Sequence, residues 1–121
     1  MSGAKLNELS VGQLVDQFLK ITLAQYDAEF EPNKYNKLYD RMVEVRGELK
    51  RRAGDQRSAL VLLFSHQNPQ VRFMAAVAML KLVPDAAQTV LQALADSKEY
   101  PQAANAIGIL RALEEGRYVP E

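Results

Sequence analysis

Few residues in this sequence have side chains that could carry nucleophilic or acid–base chemistry. His66 is the only histidine, and it stands beside Ser65. Serine and histidine can form a nucleophile and its base, but adjacent residues do not make such a pair, and the glycine-flanked serine turn of hydrolases is missing here. A single histidine also cannot build a multi-histidine metal site. We therefore interpret His66 as an ordinary turn residue.

A second candidate for chemistry is a short acidic segment. Asp27, Glu29 and Glu31 alternate along the chain, and carboxylates grouped in a loop can bind metal ions. The glycine and the spacing of a calcium-binding loop are missing, so a solvated loop is the preferred interpretation. The sequence has no cysteine, which excludes disulfides, thiolate zinc sites and cysteine nucleophiles. We expect no enzyme activity, no metal and no cofactor.

The third candidate is a cluster of basic residues near the middle of the chain. Its members are Arg46, Lys50, Arg51, Arg52 and Arg57. They could contact phosphates, and nucleic-acid binding or base repair through this basic patch is the alternative function. The preferred interpretation is structural, because cations stabilise the C-terminus of a helix and Glu44, Glu48 and Asp55 lie nearby. Fifteen basic and fifteen acidic residues cancel over the whole chain, which argues against attraction to nucleic acid or to an anionic membrane.

The element that organises the chain is a helix predicted over residues 68–83. Asn68 can cap its first amides, and Pro69 occupies a first-turn position where a missing N–H costs nothing. Met74, Val77 and Leu80 follow helical spacing. Alanines on the neighbouring faces would let other helices approach closely. This pattern indicates a stack of helices.

Five further helices are predicted around it. Their segments are about 11–29 with a Ser10–Gln13 capping box, 32 or 33 to Ala53, a short helix after Asp55 that contains the apolar run 59–64, a helix from Pro84, and one from about Pro101 to Gly116. We expect Tyr26, Phe30 and Tyr39 on buried stripes and the run 59–64 covered on most sides. We also expect Ala104 and Ile107 on the buried face of the last helix and Glu48 on a solvated face.

The second half of the sequence contains an internal repeat with an offset of thirty residues. The shift aligns residues 60–64 with 90–94 and residues 76–81 with 106–111. Such a period is typical of helical repeats that bury their apolar faces against one another. The predicted organisation is a single domain over 1–121. It has an N-terminal helical hairpin as a cap (1–54), two repeats (55–83 and 84–116) and a tail (117–121).

The repeat carries a family resemblance. Asn68-x-x-Val71-Arg72-x-x-Ala75-Ala76 resembles the second helix of short HEAT-like repeats, including those of the bilin-lyase type. Together with 100–104 and 113–120, it makes the chain similar to a small bacterial HEAT-like family of unknown function. The resemblance implies an all-α fold, a short α-α superhelix of the ARM-repeat type with about six helices. It implies no activity and no catalytic residues.

The resemblance also bears on single residues. In HEAT-like repeats, the arginine that corresponds to Arg72 commonly braces a turn or a neighbouring repeat. The second repeat departs from the pattern, because Pro101 and Gln102 stand where Val71 and Arg72 stand in the first.

The last helix supplies the preferred candidate for a partner surface, because no repeat follows to cover it. Its candidate residues are Tyr100, Gln102, Asn105 and Arg111. From the sequence we expect a bacterial, non-enzymatic module for protein–protein interaction, which uses its groove or the face of the last helix to bind a protein partner or a second copy. The N-terminus shows no apolar core of signal-peptide length and no apolar run reaches membrane-spanning length, so we expect a cytoplasmic protein without membrane contact.

Overall fold

The computed structural model describes residues 5–121 and is built from helices. The α-helices are α1 (Val11–Asp27), α2 (Pro32–Arg51), α3 (Pro69–Ala78), α4 (Pro84–Asp96) and α5 (Gln102–Glu114), and two 3₁₀-helices cover Leu6–Glu8 and Gln56–Leu63. Residues 5–121 contain no strand. The prediction of an all-α fold is confirmed, and the six predicted helices correspond to the five α-helices and the longer 3₁₀-helix. Residues 1–4, the start of the predicted cap, lie outside the described part of the chain.

The chain divides into two compact units, the first ending at Leu60 and the second running Val61–Glu121. In the first unit, α1 packs against α2 and residues 28–31 connect them. In the second unit, α3 packs against α4, and α5 packs against both. The predicted organisation into a cap and two repeats remains a prediction.

Helix α1 begins as the sequence predicts. The Ser10 hydroxyl oxygen accepts a hydrogen bond from the Gln13 backbone N–H at 3.1 Å, and the Gln13 side-chain oxygen accepts one from the Ser10 N–H at 2.8 Å. These two bonds satisfy amides that a helix start leaves without partners. The helix ends at Asp27, slightly before the predicted boundary, and the Glu31 N–H closes the following turn on the Ala28 carbonyl oxygen at 2.9 Å.

The buried stripe of the first unit is narrower than the sequence predicts. Tyr26 and Tyr39 are exposed and Phe30 is 89% exposed, so the expectation that these aromatic residues are buried is wrong. The buried residues of α1 are Leu14, Phe18, Ile21, Thr22 and Gln25. This set follows one line of helical spacing toward α2. Tyr26 lies off that line, and Phe30 lies beyond the end of the helix.

The apolar run at residues 59–64 forms part of the longer 3₁₀-helix and is not covered on most sides. Leu60 and Leu63 are buried, whereas Val61 is exposed and Leu62 is 76% exposed. A 3₁₀-helix has three residues per turn, so residues three apart share a face and the two between them point elsewhere. The expectation of nearly complete burial is wrong because it assumed an α-helix, in which successive side chains spread more widely around the helix axis.

Helix α3 has the predicted cap but ends early. The Asn68 side-chain oxygen accepts hydrogen bonds from the backbone N–H groups of Gln70 and Val71 at 2.9 and 3.3 Å. The helix ends at Ala78, five residues before the predicted Val83. Met79 and Leu80 are buried even though they lie in the turn. Their burial explains why the apolar pattern extends beyond the helix.

Helix α5 buries a different face from the predicted one. Its buried residues are Gln102, Ala103 and Ala106, while Ala104 is exposed and Ile107 is 39% exposed. Small side chains at 103 and 106 allow close packing against α3 and α4, and this turns Ile107 outward. The helix ends at Glu114, and Gly116, the predicted terminating residue, follows with a positive φ of 74° that suits glycine. The Arg117 N–H then bonds to the Ala112 carbonyl oxygen at 2.9 Å, as in a Schellman motif.

Candidate functional site

Carboxylates occupy most of the predicted basic patch. The Glu48 carboxylate accepts hydrogen bonds from Arg51 Nη2 at 2.9 Å and from Arg52 Nε at 3.0 Å. Glu48 is only 8% exposed, so the prediction of a solvated residue is wrong, although the predicted Glu48–Arg52 pair is present. The hydrogen bond from Arg51, and then that from Arg52, lowers the pKa of Glu48 below its ordinary value of 4.5. Arg52 also donates to the Leu6 carbonyl oxygen at 3.1 Å.

Arg57, the last member of the basic patch, is buried against an acidic neighbour. Its Nε and Nη2 atoms donate to the two carboxylate oxygens of Asp55 at 2.9 and 2.7 Å. The hydrogen bond from the Arg57 side chain lowers the pKa of Asp55 below its ordinary value of 3.8. Three of the five basic side chains are therefore held by carboxylates. Lys50, which is exposed, and Arg46, which is half-buried, form no ion pair with the described residues, and Arg51 keeps 68% of its side chain exposed beside Glu48.

His66 lies just before α3, and the residues of the acidic segment lie on the surface. His66 Nδ1 accepts a hydrogen bond from the Asn68 backbone N–H at 3.0 Å, so the imidazole supports the turn that precedes α3. Its neighbour Ser65 is exposed. Asp27, Glu29 and Glu31 are also exposed. Within residues 5–121, no group of three or more acidic, histidine or cysteine side chains is arranged to hold a metal ion.

The structure separates Gln102 from the other predicted partner-binding residues. Gln102 is 2% exposed, and its Nε2 atom donates to Gln70 Oε1 at 2.9 Å. It cannot contact a partner, because it lies in the first turn of α5 and faces α3. The other three residues are accessible: Tyr100 is 64% exposed, and Asn105 and Arg111 are exposed.

Arg72 has the bracing contact that the HEAT-like resemblance implies. Its Nη2 atom lies 3.3 Å from Glu99 Oε2, and this ion pair joins α3 to the turn before α5. Both side chains retain partial exposure, so the pair orients the turn more than it stabilises the fold.

The outer side of α5 forms a continuous surface, which we call the α5 face. Ala104, Ile107, Gly108 and Arg111 have the spacing of one helix face and are all exposed. No atom outside the local backbone lies within 4 Å of the position that a Gly108 Cβ would occupy. Three of the thirteen residues are buried in each of α4 and α5, against seven of ten in α3, so α4 and α5 are the outer helices of the unit and α3 is the inner one.

A second surface is a groove between α1 and α2 of about 490 Å³, which the sequence analysis missed. Its lining residues are Leu9, Gln13, Asp16, Gln17, Lys20, Ile21, Ala24, Leu38 and Arg41. The spacing of residues 13, 17, 20 and 24 is that of one helix face, and this face is the available sequence signal. The neighbouring apolar stripe of α1 is the more prominent pattern in the sequence, so the face that lines the groove is easily overlooked.

The polar groups of this groove are only partly paired. Lys20 Nζ lies 2.9 Å from Asp16 Oδ2 across one helical turn. The Oε1 atom of Gln17 is buried and has no hydrogen-bond partner. Arg41 is exposed and forms no ion pair with any residue in the described part of the chain. Of the three charged residues of the groove, Arg41 is thus the one without an ion-pair partner in the described part of the chain.

Comparison with known proteins places the chain in a family. The model of the domain of unknown function DUF2019 matches residues 12–114. The chain belongs to this family. The DUF2019 match includes the five α-helices except for Val11, the first residue of α1, and it confirms the resemblance at the level of a family of unknown function.

One solved structure is similar to this DUF2019 chain over its length. The crystal structure of the protein RPA1889 from Rhodopseudomonas palustris CGA009 shares 38% identity with it, with a TM-score of 0.94. The match covers 98% of this chain and 100% of the other. No curated protein matches the sequence. Among the described residues, no helix combines the length and apolar character needed to cross a membrane.

Proposed function

We propose that this DUF2019 protein is a non-enzymatic HEAT-like module that binds a protein partner through the α5 face. The proposal takes α3, α4 and α5 as parts of a short α-α superhelix of the ARM-repeat type. Its support is the thirty-residue repeat together with the successive packing of these three helices. A bacterial, cytoplasmic setting is part of the proposal.

The observation that carries the proposal is the exposed apolar surface of α5. Ile107 is 39% exposed on α5, and Tyr100 in the turn before this helix is 64% exposed. Ala104 and Gly108 add almost no bulk, so the backbone of a partner could approach closely. Asn105 and Arg111 supply polar groups at the edge, which is the usual arrangement of a protein interface with an apolar centre and a polar rim.

The surroundings of the polar residues favour binding over catalysis. His66 accepts a hydrogen bond that supports the start of α3, and Glu48 and Asp55 pair with arginines. These side chains are engaged in holding turns and helix ends. An enzyme needs polar groups directed at a substrate pocket, and the α5 face offers an open surface.

The test is an affinity pull-down from the lysate of the source cells, at low and high salt and with nuclease treatment, followed by mass spectrometry. The test variant is Ile107→Glu, and the matched control is Gln88→Glu on the exposed side of α4. We expect the wild type and Q88E to retain the same stoichiometric protein at high salt and I107E to lose it. Retention by all three would contradict a role for the α5 face.

Two other outcomes would support a different function or a different partner. Recovery that disappears with salt or nuclease, and with charge reversal at Arg46 and Lys50, would support the nucleic-acid alternative. A wild-type dimer in light scattering that I107E converts to a monomer would identify the partner as a second copy. Circular dichroism of each variant controls for folding.

A further inference from the structure

We infer that residues 5–9, which we call the strap, open and close on the first unit as a separate element, with Arg52 as the clasp that holds them closed. The strap contains the 3₁₀-helix Leu6–Glu8 and precedes α1. It lies in the first unit, whereas the α5 face lies in the second. The inference therefore goes beyond the proposed function and does not depend on it.

The strap has little burial to hold it in place. None of the residues of its 3₁₀-helix is buried, and of the five strap residues only Leu6 and Leu9 are half-buried. Its internal backbone bonds run from the Glu8 N–H to the Lys5 carbonyl oxygen at 3.0 Å and from the Leu9 N–H to the Leu6 carbonyl oxygen at 3.1 Å. A single 3₁₀ turn without a buried residue gains too little to stay ordered alone. Its closed position therefore depends on contacts with α2.

Arg52 makes the one hydrogen bond that joins the strap to another helix within the described part of the chain. Its Nη2 atom donates to the Leu6 carbonyl oxygen at 3.1 Å, where the 3₁₀-helix packs against α2. Its Nε atom donates to Glu48 Oε2 at 3.0 Å. A guanidinium holds its N–H groups in a rigid planar fork, so the carboxylate that fixes Nε also directs Nη2 at the strap. Arg52 is thus the clasp, and Glu48 is the residue that positions it.

The capping box of α1 sets the boundary at which the strap can open. Ser10 and Gln13 exchange two hydrogen bonds that use no strap residue, so the start of α1 keeps its cap when the strap leaves. Leu9, just before this cap, has an extended backbone with φ of −87° and ψ of 149° and can act as the hinge. Opening removes the Leu6 carbonyl from Arg52, whose side chain is 22% exposed in the closed form. The strap therefore controls access to the C-terminal end of α2.

The experiment measures amide exchange with solvent by NMR on the ¹⁵N-labelled full chain, at several urea concentrations below the unfolding transition. The strap is followed through the amides of Glu8 and Leu9, and the core of the unit through those of Leu14 and Leu49. The test variants are Arg52→Gln and Glu48→Gln. Arg51→Gln is the matched control, because Arg51 also bonds to Glu48 but makes no bond to the strap.

In the wild type we expect urea to leave exchange at the strap amides unchanged and to accelerate it at the core amides. Local opening exposes little surface, whereas unfolding of the unit exposes much. R52Q should speed exchange of the strap amides about tenfold, as for loss of one hydrogen bond to a charged group. E48Q should give a smaller increase, because Arg52 remains but has lost the carboxylate that directs it. R51Q should keep the wild-type rates.

Three results would overturn the inference. Strap and core amides with the same urea dependence would mean that the strap opens only when the whole unit unfolds. Unchanged strap rates in R52Q would mean that the half-buried leucines hold the strap without a clasp. Equal increases in E48Q and R51Q would remove the positioning role of Glu48. If R52Q folds poorly, the urea dependence of the wild type still decides whether the strap opens separately.

Discussion

The two units of this chain fill their cores with different side chains. In the first unit the buried apolar residues are long or aromatic, such as Leu14, Phe18 and Met42, and Ala28 is the one buried alanine among its described residues. The second unit buries six alanines: Ala75, Ala76, Ala78, Ala87, Ala103 and Ala106. The first unit therefore depends on filling volume between two helices, and the second on bringing three helices close together.

The buried polar groups differ in the same way. Besides the neutral Thr22 and Gln25, the first unit buries the charged side chains of Glu48 and Arg57, each held by an oppositely charged neighbour. The second unit buries the neutral amides of Gln70 and Gln102, which bond to each other. Acidification should therefore weaken the ion pairs of the first unit, whereas a change in side-chain size should disturb the second unit most.

The largest expected effect is the loss of volume in the first unit. Phe18→Ala removes a fully buried ring from the contact between α1 and α2. We expect the free energy of unfolding to fall by about 3–5 kcal/mol, because the lost burial is increased by the cavity left behind. Urea denaturation followed by circular dichroism measures the change. Phe30→Ala is the matched control, since its ring is exposed, and comparable losses in the two variants would contradict this packing.

A gain of volume in the second unit should have an intermediate effect. Ala106→Leu inserts three carbon atoms where α5 packs against its neighbours. We expect a loss of about 1–3 kcal/mol, typical of overpacking, in the same denaturation experiment. Ala104→Leu places the same side chain on the exposed side of α5 and should leave stability nearly unchanged. Tolerance of A106L would mean that the alanines are not required for close approach.

The features that sequence predicts well are local ones. Ser10 with Gln13, Asn68 with Pro69, and Gly116 mark helix ends through bonds to residues at most five positions away. These patterns predict where α1 and α3 begin and where α5 ends because their energetics are set by neighbouring residues. The Glu48–Arg52 pair was predictable for the same reason.

The features that sequence misses depend on which side of a helix meets another helix. Gln102 has the composition of a surface residue, but its position opposite Gln70 buries it. Ile107 has the composition of a core residue, but the small side chains beside it turn it outward. The groove beside Gln17 is formed by two helices, so the spacing of residues along α1 alone does not define it.

The smallest expected effect concerns the buried carboxylate of the first unit. Because the arginine hydrogen bonds lower the pKa of Glu48, the folded state favours its charged form. This stabilisation is complete above the ordinary pKa of 4.5 and disappears as pH falls through the lower pKa of the folded state. We therefore expect Glu48→Gln to lower the melting temperature at neutral pH, and the difference from the wild type to shrink below pH 4.5.

The measurement is a series of melting curves from pH 7 to pH 3 for the wild type, E48Q and the exposed-pair variant Asp16→Asn. Asp16 lies on a solvated helix surface, where an ion pair is worth about 0–1 kcal/mol, so its variant shows how little such a pair contributes at neutral pH. A difference between the wild type and E48Q that stays constant over the whole pH range would mean that Glu48 stabilises the unit through shape and not charge. The first unit would then resemble the second in depending on packing alone.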